Sequence, residues 1–164
     1  GADMKQCEVL VIGGGPAGLS AAISAAKAGA QVTDIGMCGT EEIYYAAANQ
    51  PFGAGVMITG SHNPADENGF KLVRGGAIPI SGDSGLFALR DRVEAILAES
   101  GDTAGSLDVS PLQHASFRAD YVAWLLEYSG AGQLAPVAGR KPLKIVGDAG
   151  NGCAGLVLND LIYA

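Results

Sequence analysis

A serine, a histidine and a lysine lie close together in the middle of the chain. Ser61 and His62 belong to the run Gly60-Ser61-His62-Asn63-Pro64, which follows the short apolar stretch Val56–Thr59, and Lys71 stands ten residues after the serine. A lone serine on a tight turn after a strand presents an exposed hydroxyl, the group that covalent catalysis or phosphoryl transfer requires. Ser61 with His62 is not a hydrolase dyad, because neighbouring residues rarely point at a common target. Asn, Pro and Gly are also the usual residues of simple turns, so the run by itself leaves a structural reading open. A second candidate is Gly13, Gly15 and Gly18 in Gly13-Gly14-Gly15-Pro16-Ala17-Gly18. Their GxGxxG spacing permits a tight turn and close approach of a pyrophosphate to a helix N-terminus.

Elements of alternating type position both candidates. Glu8–Ile12 reads as a buried strand, Leu19–Ala28 as an alanine-rich helix closed by Gly29, and Gln31–Ile35 as a second strand. Strand, glycine turn, helix and strand form a βαβ unit with a parallel pair and a right-handed crossover. Thr40 reads as the cap of a helix over Glu41–Ala48, whose first turn carries acids, as the helix dipole favours. Val56–Thr59 is the third strand, and Lys71–Val73 with Ala77–Ile80 suggests a short hairpin or loop pair. Leu86, Leu89, Val93, Ile96 and Leu97 recur at helical spacing over 86–99. Ser116–Tyr128 reads as another helix, with Phe117, Tyr121 and Trp124 expected in its core-facing side rather than as a stacking platform. His114 falls in a polar connection and is expected to be a solvated surface residue. Pro136 and Pro142 bracket a boundary, after which Leu143–Val146 reads as a strand, 150–155 as a loop and Leu156–Tyr163 as a helix.

Composition narrows the function classes. The chain has 164 residues, 48% of them hydrophobic and 16% charged, with 25 glycines, which fits a small-residue-rich α/β protein rather than a disordered one. A net charge of −7 with no basic stripe argues against nucleic-acid binding. Cys7, Cys38 and Cys153 make no metal-type or redox spacing and fit a reducing cytoplasm. No run suggests a signal peptide or a membrane span, and Gly1-Ala2-Asp3 ahead of Met4 reads as the scar of a cleaved tag.

Two resemblances attach to these residues. Residues 7–32, CEVLVIGGGPAGLSAAISAAKAGAQV, resemble the FAD-binding opening of a thioredoxin-reductase-type flavoprotein. That resemblance implies cofactor binding by Gly13, Gly15 and Gly18, and an acid about 20 residues on for the ribose. The nearest acid, Asp34, falls two residues early, and Gly150, Gly152 and Gly155 repeat the same spacing elsewhere, so the pattern is weak. From Asp34 onward the blocks Asp34-Ile35-Gly36-Met37-Cys38-Gly39-Thr40-Glu41-Glu42, Ser61-His62-Asn63-Pro64, Gly69-Phe70-Lys71-Leu72-Val73, Ser81-Gly82-Asp83-Ser84-Gly85-Leu86 and Gly147-Asp148-Ala149-Gly150-Asn151-Gly152 resemble the α-D-phosphohexomutases. This second resemblance implies that Ser61 carries a transferable phosphate and a Mg2+ ligand, that Lys71 is a general acid/base, and that His62 supports the loop or the substrate. It implies a hexose phosphate substrate, with Asn63 and Asn68 holding the turn. The family has four domains, so residues 1–135 should be most of the first and 136–164 the start of the second, with the other magnesium ligands beyond Ala164.

The expected fold is therefore a three-layer α/β/α domain with a mainly parallel sheet. The change of resemblance near Val32-Thr33 suggests a chimera: a Rossmann-like βα unit at 7–32 joined to a phosphohexomutase first domain. Weak or absent activity and self-association through the cut second domain are expected of it. A flavin- or dinucleotide-binding module and an inactive scaffold are the other readings.

Overall fold

The computed structural model describes residues 8–12, 22, 24–26, 29–64, 66–100, 112–131, 139, 141 and 144–163. Its strands are β1 (Glu8–Ile12), β2 (Gln31–Asp34), β3 (Ala54–Ile58), β4 (Phe70–Arg74), β5 (Ile78–Pro79) and β6 (Gln113–His114). They form one sheet in the order β5-β4-β3-β1-β2-β6. β1 pairs in parallel with β2 and β3, and β2 with β6, whereas β3–β4 and β4–β5 are antiparallel. The helices are α1 (Thr40–Asn49), α2 (Leu86–Ser100), α3 (Arg118–Ser129) and α4 (Ala154–Tyr163). Among the described residues no helix is long and apolar enough to cross a membrane.

Side-chain alternation along the strands builds a core on each face of the sheet. On one face Met57, Ile35 and Cys38 pack with Ile43 and Ala46 of α1, flanked by Phe52 and Phe117. On the other, Val32 and Ile58 pack with Ala22, beside Ala25, Ala26, Val56 and Leu112. Helix-forming residues therefore cover both faces, which is the three-layer α/β/α arrangement expected from the sequence. Gly55 is where α1 comes closest: a Cβ there would lie 2.9 Å from Val73 Cγ2 and 3.2 Å from Ile43 Cγ1. Gly55→Ala should accordingly destabilise the fold by about 1–3 kcal/mol through overpacking, readable as a lower urea midpoint at unchanged m-value.

Several local expectations change. Thr40 is the first residue of α1 rather than its cap. The cap is Gly39, whose N–H donates to Glu42 Oε1 at 3.2 Å, so the acid in the first turn does the capping. The expected hairpin forms, β4 pairing with β5 through Val73↔Pro79 and Arg74↔Ile78. His114 is exposed as expected, but it belongs to a strand rather than a polar connection: it pairs with Asp34 in the β2–β6 ladder, and its Nδ1 stands 3.6 Å from Asp34 Oδ2. Residues 144–146, the described part of the strand expected over Leu143–Val146, are not a strand. With no neighbour among the described residues to complete a ladder, Ile145 and Val146 remain 85% and 94% exposed. Leu86, Leu89, Val93, Ile96 and Leu97 keep helical spacing on α2 but are all exposed. Tyr121 is buried as expected and Phe117 packs edge-on against Phe52 at 5.9 Å, whereas Trp124 is 40% exposed and stacks on Tyr128 at 5.1 Å.

Candidate active site

The parallel strands fix where a ligand could sit. β1, β2 and β3 run in the same direction, so the segments after Ile12, Asp34 and Ile58 leave the sheet at one edge, its carboxyl edge. Open α/β sheets bind ligands outside that edge. The antiparallel pairing of β3 with β4 returns the chain to the same edge. Met57 pairs with Lys71 and Ile58 with Phe70, and the Thr59 N–H donates to the Gly69 carbonyl at 2.9 Å. Gly60–Asn68 is therefore the tip of a hairpin that carries Ser61 and His62 in the tip and Lys71 on the returning stem. Ser61 lies two residues beyond Thr59, and Lys71 two beyond Gly69.

The loop presents Ser61 in a restricted backbone state. Its φ is +50°, a left-handed value that is uncommon for a residue other than glycine. Thr59 supports it: the Ser61 N–H donates to Thr59 Oγ1 at 2.9 Å, and two residues on, the Asn63 N–H donates to the Gly60 carbonyl at 2.8 Å. Gly60 is required by closeness, because a Cβ there would stand 3.0 Å from the Glu67 carbonyl across the loop. Asn68 accepts the Gly69 N–H at 3.3 Å, the turn-holding part expected of it. Ser61 and His62 are both exposed. Lys71 is exposed as well, on the same sheet face as buried Val73 by alternation. Thr59 escaped the sequence reading; a hydroxyl residue two before a turn serine, able to accept its N–H, was the available signal.

The donor set does not by itself make a magnesium site. Mg2+ takes near-octahedral oxygen ligands, usually one or two carboxylates with phosphate and water. Among the described residues no group of three or more His, Cys, Asp and Glu side chains could hold a metal ion. Ser61, once phosphorylated, could offer a phosphate oxygen, and the remaining ligands would have to come from elsewhere. Gly13, Gly15 and Gly18 lie outside the described residues. Asp34, the acid nearest the place a ribose would need, is engaged within the fold, its Oδ1 accepting the Gly36 N–H at 2.8 Å and its Oδ2 facing His114.

The loop between β2 and α1, which leaves the same edge, is clamped from below. Glu42 is buried at 3% exposure. Its Oε2 stands 3.3 Å from Arg118 Nε, and Arg118 Nη2 donates to the Met37 carbonyl at 2.8 Å. The adjoining Cys38 thiol is pushed up from 9.0 to about 12, first by desolvation and then by the field of Glu42. Its thiolate fraction at pH 8 is then about one in ten thousand. Iodoacetamide at pH 8 should modify the half-buried Cys153 long before Cys38, as peptide mapping would show. Because the folded state holds this proton more tightly, the contribution of Cys38 to stability is complete below about pH 9 and lost as pH rises towards 12.

Comparison with known proteins identifies the family of this domain. Residues 16–119 match the family model described as Phosphoglucomutase/phosphomannomutase, alpha/beta/alpha domain I. That match begins at Pro16, ahead of Val32-Thr33, where the sequence led us to expect a change of family. The chain is 45% identical over 142 residues to the phosphohexose mutases of Xanthomonas campestris pv. campestris (strain B100), covering 86% of this chain and 29% of the relative. It is 45% identical over 134 residues to the phosphomannomutase of Salmonella montevideo, covering 80% and 27%. Against the phosphomannomutase of Escherichia coli (strain K12) the identity is 43% over 134 residues, with the same coverage of 80% and 27%. The chain thus spans less than a third of the length of the curated relatives it matches. On the family match and on the sheet that carries the Ser61 hairpin, the chain belongs to the phosphoglucomutase/phosphomannomutase family, in its α/β/α domain I.

Proposed function

We propose that this chain carries the phosphate-bearing serine loop of a phosphohexomutase, moving a phosphoryl group between two oxygens of one hexose phosphate. The observation that carries the reading is Ser61: exposed, at φ +50°, on the tip of a hairpin at the carboxyl edge of a parallel sheet. Held strain of this kind clusters at functional sites. Mutase chemistry balances over two transfers. Phosphorylated Ser61 first gives its phosphoryl group in line to the free hydroxyl of a hexose monophosphate: the sugar O–P bond forms, the Ser61 Oγ–P bond breaks and Oγ takes a proton from solvent, and the sugar hydroxyl gives up its proton. In the second transfer the bisphosphate presents its other phosphate, Ser61 Oγ loses its proton and attacks that phosphorus, the bond to the sugar breaks, and the freed sugar oxygen takes a proton as the phosphoserine is restored. Lys71 is the group that gives and takes that proton. His62, beside the serine, orients the loop or the sugar.

Such transfer depends on positioning and charge stabilisation. Magnesium on the phosphorylated Ser61 would supply part of that stabilisation, but the described residues do not complete its shell. Turnover by this chain alone should therefore be weak or absent. Residues 136–164 are best read as the opening of a second domain, with α4 packed towards α3. A flavin at Gly13, Gly15 and Gly18 has no observation in its favour, given the engagement of Asp34.

Amide chemical-shift mapping with a hexose bisphosphate tests the site. Shifts concentrated on Thr59–Gly69 and Lys71 are expected. Shifts elsewhere, with that hairpin silent, would overturn the reading.

A further inference from the structure

We propose that the apolar stripe of α2 is an antiparallel interface with a second copy of this chain. Every residue from Leu86 to Glu99 is exposed. Yet Leu86, Leu89, Val93 and Ile96 follow the three- and four-residue steps of a heptad seam, with Leu97 beside them. Their accessibilities run from 38% at Leu86 to 59% at Leu97. A helix of 15 residues is marginal in water unless such a stripe packs against something. Phe87 lies off the stripe and turns back on its own chain, its ring reaching within 2.8 Å of where a Cβ on Gly82 would stand.

Charge selects the occupant. On one flank of the stripe Arg90 stands 3.9 Å from Glu94 and 2.6 Å from Asp91, so these groups are paired within the helix. The other flank carries Arg92 and Glu99, and neither has a hydrogen-bond or ion-pair partner among the described residues. Two helical turns, about 10 Å, separate them, too far for a pair of their own. An antiparallel second copy satisfies both, because Arg92 of each helix comes opposite Glu99 of the other. The same register sets Val93 against Ile96 twice about a two-fold axis, with Leu89 and Leu97 closing the edges. A parallel copy would instead set Arg92 beside Leu97 and leave both charges alone. The stripe thus supplies its own complement in one orientation.

Sedimentation velocity of the intact chain tests this pairing, independently of any activity. A monomer–dimer equilibrium is expected over about 5–500 μM, the weak range of a small interface. Arg92→Glu and Glu99→Arg should each weaken the dimer about ten-fold, since each turns two attractions into two repulsions. Mixed in equal amounts, the two variants should regain the association of the parent chain, because every altered side chain then meets its opposite charge on the other copy. Circular dichroism checks that both variants keep the fold. A chain that stays monomeric throughout, a dimer indifferent to either substitution, or a mixture no stronger than the variants alone would each overturn the proposal.

Discussion

Ser61→Ala is expected to abolish phosphoryl transfer to the chain from a hexose bisphosphate, because among the described residues no other hydroxyl shares its place on the loop. The neighbouring hydroxyl, Thr59, is committed as acceptor of the Ser61 N–H at 2.9 Å. Lys71→Met should behave differently. The acceptor oxygen survives, so phosphate still arrives, but more slowly by about 10²–10⁴-fold, the usual worth of a positioned acid/base. Rapid-quench labelling of the two variants separates these roles. If Ser61→Ala takes up phosphate at the rate of the parent chain, Ser61 is not the carrier. If Lys71→Met is unimpaired, the proton on the sugar oxygen is handled by another group.

Arg118→Ala should be the most damaging substitution away from the Ser61 loop. It leaves the Glu42 carboxylate buried at 3% exposure with its ion pair gone, and it releases the Met37 carbonyl. Removing one partner of a buried pair costs about 3–5 kcal/mol. Arg118 keeps 24% side-chain exposure, which places the cost near the lower end, about 3 kcal/mol or about 10 °C in Tm. Adding Glu42→Gln should recover part of that loss, because the stranded charge goes with it. Thermal unfolding of the single and double variants measures the coupling directly. Strict additivity would mean that the two side chains do not act as a pair.

What the sequence disclosed follows a physical division. Period-2 and helical apolar patterns, with glycine turns between them, revealed β1 to β4 and α1 to α4, because those signals are local. The Ser61 hairpin was legible for the same reason: turn residues flank a strand, and Lys71 follows at a fixed offset. Non-local partners were hidden. Glu42 reads as an ordinary first-turn acid, and nothing nearby announces that Arg118, 76 positions on, will bury with it. β6 carries no apolar alternation: Gln113 and His114 join the sheet through their backbone pairing with β2 and the His114–Asp34 side-chain contact. Ile145 and Val146 err in the other direction. Their branched side chains suit a strand, but a strand exists only with a neighbour, and none of the described residues provides one. Trp124 shows the same dependence, since helical spacing puts it beside Tyr121 but cannot say how far that face is covered.

The most direct test of the central claim is site-resolved mass spectrometry of the intact chain after incubation with a hexose bisphosphate and magnesium. The account predicts one added phosphoryl group, and fragmentation places it on Ser61. A chain that stays unmodified, or one whose phosphate maps to another residue, would contradict the assignment of Ser61 as the phosphate carrier.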